Sequence, residues 1–353
     1  MEIKKRTPKA LLGLVMLSVS ILSACQHREQ PEPMPVQPDL VIYTSHEEAV
    51  YEPVIKEFEE RTDLLVRIET GSSEEMIRYL EEMGEAGDAA QHLSGVRWDV
   101  VFGVGIETLE QQKAHWMTYK SPEASFITEA FQCQDHKWTS FSSLPLVIMY
   151  NTNVVTYREL PVGWMSLLEP RWKGRVAFGD PCRVDLYAAA LVAAVHTCGE
   201  DGQYMERLME NMEYRTLDSL SQVNTGILDG RYSVGVTMEE SAQALRSEGA
   251  DVDYIYPEEG TTAFPDGTAI LENCAHPEAA RMFVDFTIRQ DTQSILVSDL
   301  NRRSVRSDVP PLKGLSPIRK LPLIEMDLNE LSKDKEEVLT GWKDLLSRKI
   351  EGE

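Results

Sequence analysis

YTSHEEAVYEPVIKEF, residues 43–58, changes character half-way along. The run Leu40–Tyr43 that leads into it is apolar and β-prone. From Glu47 onward Val50, Val54 and Phe58 recur every fourth residue, the period of a helix face. Thr44, Ser45 and His46 therefore stand where a strand ends and a helix begins. Two further junctions of the same kind follow. Leu65–Glu69 (LVRIE) reads as a strand ending at Thr70-Gly71-Ser72-Ser73, after which Met76, Ile77, Leu80 and Met83 mark a helix with Ser73 as its N-cap. Asp99–Phe102 (DVVF) reads as a third strand, ending at Gly103-Val104-Gly105. Such alternation predicts an α/β fold, a parallel sheet with crossover helices.

In open α/β sheets the ligand crevice lies beyond the carboxyl ends of the strands. Thr44, Ser45, His46, Ser72, Ser73, Gly103, Val104 and Gly105 are thus expected to converge on one cleft. Hydroxyls, open backbone N–H groups and helix N-termini suit an anionic group there. Taken singly, a hydroxyl before a helix is ordinarily a cap and a glycine serves a turn. GVGIE lacks the third glycine and the spaced acid of a dinucleotide fingerprint. The coincidence at three strand ends carries the reading.

The chain starts with Lys4, Lys5, Arg6 and Lys9, followed by an apolar stretch from Ala10 to Ala24. That pattern reads as a signal peptide over residues 1–24, too short to span a bilayer as a mature helix. It ends in Leu22-Ser23-Ala24-Cys25, which resembles the bacterial lipobox, so Cys25 is expected to carry the lipid anchor, palmitate included. Residues 25–38 are proline-rich and have no apolar cluster, as in an extended tether. These features place the body on the extracytoplasmic face of the cell membrane. A formal charge of −23 argues against a nucleic-acid partner. Cys133, Cys182, Cys198 and Cys274 are an even set that an oxidising compartment would allow to pair. A Cys182–Cys198 bridge is disfavoured, since a helix over 186–197 separates them by roughly 16 to 18 Å.

Pro145–Tyr150 (PLVIMY) reads as a buried strand crossing between lobes, and Arg175–Phe178 (RVAF) as a further strand. The latter meets a helix start at Gly179-Asp180-Pro181-Cys182-Arg183-Val184-Asp185. Val234–Thr237 (VGVT) runs into Met238-Glu239-Glu240-Ser241 and a helix. EGTTAFPDGTAILEN reads as a return pair of strands, followed by a helix over 277–288. Residues 302–311 form a polar, proline-bearing passage, and an amphipathic helix runs over roughly 329–348. No GxSxG elbow and no HExxH occurs, so nothing nominates an enzyme.

YTSHEEAVYEPVIKEFEERTDLLVRIETGSSEEM, DVVFGVGIETL, PLVIMYNTNVV, VGVTMEESA, EGTTAFPDGTAIL and HPEAARMFVDF together resemble the extracellular solute-binding proteins of ABC importers. The resemblance runs from about residue 40 to 345, in the family's order, and lies nearest the ferric-iron, sugar-phosphate and aminoethylphosphonate binders. It implies a two-lobed type II periplasmic-binding fold: lobe 1 over 39–142 and 256–305, lobe 2 inserted over 143–255. A C-terminal helical segment, 306–353, would pack on lobe 2. It implies a monomer that hands a small solute to the transmembrane subunits of an ABC permease, with no cofactor.

In the iron branch of the family a His, a Glu and two adjacent tyrosines hold the metal. His46 matches the first position, but Gly103-Val104-Gly105 and Thr237-Met238-Glu239-Glu240 stand at the others, which leaves the site without a metal. The resemblance implies instead a phosphoryl-bearing solute, with Asp180, Arg183, Thr237 and Glu239 (or Glu240) contributed by lobe 2. Asp185 departs from the small-residue turn of those relatives, which leaves an amine-bearing or polyol solute open. Ferric iron or a polyamine is the alternative.

Overall fold

The computed structural model describes residues 37–86, 97–199, 203–263, 265–324 and 328–351. The predicted signal peptide, Cys25 and the tether up to residue 36 lie outside these. β1 (Leu40–Thr44) comes first, then α1 (Glu48–Thr62), β2 (Val66–Thr70), α2 (Ser73–Ala86), β3 (Val100–Gly105) and α3 (Ile106–Gln111). Every residue of β1 is buried, because successive side chains point to opposite faces and both faces are covered. Leu40 and Ile42 join Val54 and Phe58 of α1; Val41 and Tyr43 join Met76 and Leu80 of α2. Phe58 is fully buried, a placement that stabilises by about 1.5–3 kcal/mol over exposure.

β4 (Thr139–Ser143) belongs to the same sheet, whereas β5 (Leu146–Asn151), two residues on, belongs to another. The second sheet is completed by β6 (Val176–Ala177), β7 (Val234–Met238) and β8 (Val252–Ile255). Between them come α4 (Asp185–Cys198), α5 (Tyr204–Asn211), α6 (Leu220–Leu228) and α7 (Glu239–Ser247). The chain then returns to the first sheet as β9 (Pro265–Ile270), α8 (Pro277–Thr287), α9 (Gln290–Leu300) and β10 (Arg303–Ser304). Strand order is β10-β4-β9-β3-β1-β2 in one sheet and β6-β7-β5-β8 in the other. Each sheet with its helices forms a lobe.

The first sheet is mixed. β1, β2 and β3 run parallel as expected, while β9 pairs antiparallel with both β3 and β4. EGTTAFPDGTAILEN yields one strand, β9, with isolated bridges from Thr261 to Leu323 and from Leu271 to Trp116, because the start of this stretch spans the gap between the sheets. The two crossings are tied together: the Leu146 N–H donates to Thr262 O (3.0 Å), and the Thr261 hydroxyl to Leu146 O (2.8 Å). The last helix, α10 (Leu328–Glu351), buries Val338 and Trp342 in the core of the second lobe, against α4. It also touches α3 of the first lobe. Cys133, Cys182, Cys198 and Cys274 are all free thiols.

Candidate functional site

A cavity of about 510 Å³ lies between the lobes. The first lobe lines it with the residues that follow β1 and β2, with the end of β3, and with Asp266 and Arg302. The second lobe supplies the starts of α4, α6 and α7. Of the residues singled out from sequence, Ser45, His46, Ser72, Ser73, Gly103, Gly105 and Arg183 line this cavity. Five do not. Thr44 is fully buried, and its hydroxyl accepts the His46 N–H at 3.1 Å. Asp180 turns inward to accept the Cys182 N–H at 2.9 Å. The buried Thr237 hydroxyl donates to Asn224 at 2.7 Å.

Val104 is turned away by a bulge. The register of β3 against β9 shifts between Phe102 and Val104, and Gly103 takes φ +79°. The extra residue rotates Val104 into the apolar cluster beneath α2 and α3. Glu239 is the fifth. It is buried on the hinge side, where Arg303 donates to both its oxygens (2.6 and 2.9 Å) and the Tyr256 hydroxyl donates at 2.9 Å. Its neighbour Glu240 faces the cavity instead.

The hydroxyls and N–H groups at the strand ends are largely occupied within the chain. Ser45 donates to Gly103 O at 2.8 Å, lacing the end of β1 to the end of β3. The Ser72 N–H donates to Glu75 (2.9 Å), whose own N–H donates to the Ser72 hydroxyl (3.2 Å). This reciprocal capping box puts the cap of α2 at Ser72 rather than Ser73.

Charge dominates what remains. Arg302, with a side chain only 6% exposed, stands between Asp266 of its own lobe (2.8 Å) and Glu240 of the other (2.5 Å). Asp266 also accepts from the Ser142 N–H and hydroxyl (2.8 and 2.7 Å). His46 Nε2 lies 3.2 Å from Asp266, out of line for a hydrogen bond. Arg183 is paired with Asp218 at an exposed edge. Among the described residues Glu47, Glu74 and Glu107 line the cavity without an ion-pair partner, and Glu107 Oε2 has no hydrogen-bond partner. Burial raises the Glu107 carboxyl, and raises that of Glu240 against the pull of Arg302.

Burial between the rings of Phe102 and Phe141 takes the His46 imidazole down from 6.5 to about 3, with Asp266 opposing and Arg302 reinforcing. The folded protein therefore keeps His46 neutral where the unfolded chain binds a proton. Stability should fall on acidification through the window from 6.5 down to about 3. One proton's worth of slope is at most about 1.4 kcal/mol per pH unit. Urea unfolding at a series of pH values should show a shallower slope for His46→Gln than for the parent; equal slopes would place His46 in water.

A family model for bacterial extracellular solute-binding proteins matches residues 107–314, more than half of the chain. The chain belongs to that family. Among curated relatives, this solute-binding protein is 19% identical over 312 residues to the major ferric iron-binding protein of Neisseria meningitidis serogroup B, covering 84% of this chain and 90% of that one. It is 23% identical over 133 residues to the spermidine/putrescine-binding periplasmic protein of Escherichia coli K12, 36% of this chain and 38% of that one. A structure of the periplasmic binding protein AfuA from Actinobacillus pleuropneumoniae, with fructose-6-phosphate bound, superposes with a TM-score of 0.74 at 20% identity, over 87% of this chain and 98% of that one. The shared architecture is the two-lobed periplasmic-binding fold.

Sequence reasoning on this solute-binding protein missed Asp266, Arg302 and Glu107. Asp266 is hidden in a strand otherwise read for its apolar residues. A signal did exist for the arginines: adjacent Arg302-Arg303 answers adjacent Glu239-Glu240, one pair on each lobe.

Proposed function

We propose that the protein captures a small polar solute carrying a cationic group in the interlobe cleft and delivers it to the permease of an ABC importer. The observation that carries the choice of solute is the charge of the cleft. Each arginine lining it is already paired with a carboxylate, while among the described residues Glu47, Glu74 and Glu107 have no ion-pair partner. A phosphoryl group would have to displace Glu75 from the start of α2 and approach these acids. The local similarity to a polyamine-binding protein points the same way. Anchoring through Cys25, delivery to transmembrane subunits and a monomeric state complete the reading, as the sequence leads one to expect.

Calorimetric titration with spermidine, 1,4-diaminobutane, fructose-6-phosphate and 2-aminoethylphosphonate separates the solute classes. The amines should bind and the sugar phosphate should not. Loss of a charged partner is worth about 1.5–3 kcal/mol, so Glu107→Gln should weaken amine binding by roughly ten- to a hundredfold. Tight binding of fructose-6-phosphate with no response to either amine would reverse the assignment.

A further inference from the structure

A second, smaller cavity of about 200 Å³ adjoins the first and shares Ser73, Glu74, Arg183, Val184 and Asp185 with it. Its far wall is α10, through Lys335 and Leu339, facing Thr108 and Gln111 of α3. The C-terminal helix thus walls the smaller cavity beside the cleft, although its own anchor is the second lobe, where Trp342 is fully buried 6.2 Å from the Phe178 ring. Lys335 Nζ lies 2.6 Å from Asp185 Oδ1 at the start of α4, and its side chain is 22% exposed. Glu74 lines the same small cavity as Lys335, and the ammonium favours the charged form of Glu107, which lines the main cavity beside it.

We propose that Lys335 is a tethered counter-cation of the cleft: carried on α10, its ammonium balances Asp185, Glu107 and Glu74 and competes there with a cationic group of the solute. A mobile ammonium on a flexible stem suits this role, since it holds a carboxylate as a point charge and yields it without breaking a fixed fork geometry. The anchor and the cation are separate on the helix, so Lys335 can swing away while Val338 and Trp342 stay buried. The residue therefore sets how much positive charge the cleft accepts. The competition half of this inference rests on the cationic-solute reading above; the counter-cation half does not.

The test uses the full chain with Lys335→Gln, which keeps a good helix former, and Lys335→Arg, which keeps the charge. The solute-free arm follows the Glu107 carboxyl by carbon-13 NMR titration. Lys335→Gln should move its midpoint up, and Lys335→Arg should leave it in place. The second arm titrates spermidine calorimetrically, where Lys335→Gln should bind about three- to tenfold more tightly and Lys335→Arg as the parent does. An unmoved Glu107 titration would overturn the counter-cation whatever the amine does. A moved titration with amine affinity unchanged or weakened would overturn the competition. A moved titration with no amine binding to any form would uphold the counter-cation and reject the cationic solute itself.

Discussion

Arg302→Met should destabilise the protein by about 3–5 kcal/mol, the usual cost of stranding buried charges by removing their partner. The substitution leaves Asp266 and Glu240, with side chains 3% and 16% exposed, facing each other without a cation. Burial already raises the Glu240 carboxyl, so the loss should be partly relieved by protonation and shrink as pH falls. Guanidinium unfolding of Arg302→Met, and of Arg302→Met with Glu240→Gln and Asp266→Asn, checks this. The triple variant should recover much of the loss, because a neutral replacement of a buried cluster is far less costly than a broken one. If the single variant loses less than about 1 kcal/mol, the range of a surface pair, the cluster is solvated and is no interlobe tie.

Gly103→Ala should be nearly as damaging, for a different reason. The residue sits at φ +79°, where an L side chain costs roughly 1–2 kcal/mol, and the new methyl carbon would lie 2.1 Å from the His46 ring. Overpacking of that kind typically adds about 1–3 kcal/mol. The expected loss is therefore roughly 2–5 kcal/mol by urea unfolding. The double variant with His46→Ala separates the two parts: it should remove the clash and keep the backbone strain. Strict additivity of the two single changes would mean that ring and methyl never meet.

The elements that could be read from sequence are those in which one pattern decides. β1 is a continuous apolar run because both faces are buried, and α1 shows its period because one face is wet. β4 could not be read, since TSFSS is four-fifths hydroxyl residues; it becomes a buried strand only through pairing with β9 and β10. The position of the cleft was legible for the same reason as the strands: junctions of strand and helix in a parallel sheet end on one side. Its chemistry was less so. Glu239 and Glu240 are neighbours in the first turn of α7, and only the rotation of that helix decides which meets Arg303 at the hinge and which meets Arg302 in the cleft. Likewise the hydroxyls of Ser45 and Ser72 look free in one dimension and are occupied in three, because their partners come from β3 and from the first turn of α2.

The placement of β9 between β3 and β4 has a consequence for how the body is made. These two strands have no common neighbour until the chain has laid down the whole second sheet and returned as far as Ile270. A nascent chain ending before that point holds β1, β2 and β3 as a fragment with an open edge, and β4 as a strand with nothing to pair. Pairings this distant along the chain close late and slowly. The first sheet is thus first in order of emergence and last in order of completion, and the second sheet, encoded in one uninterrupted stretch of strands, reaches its full complement sooner.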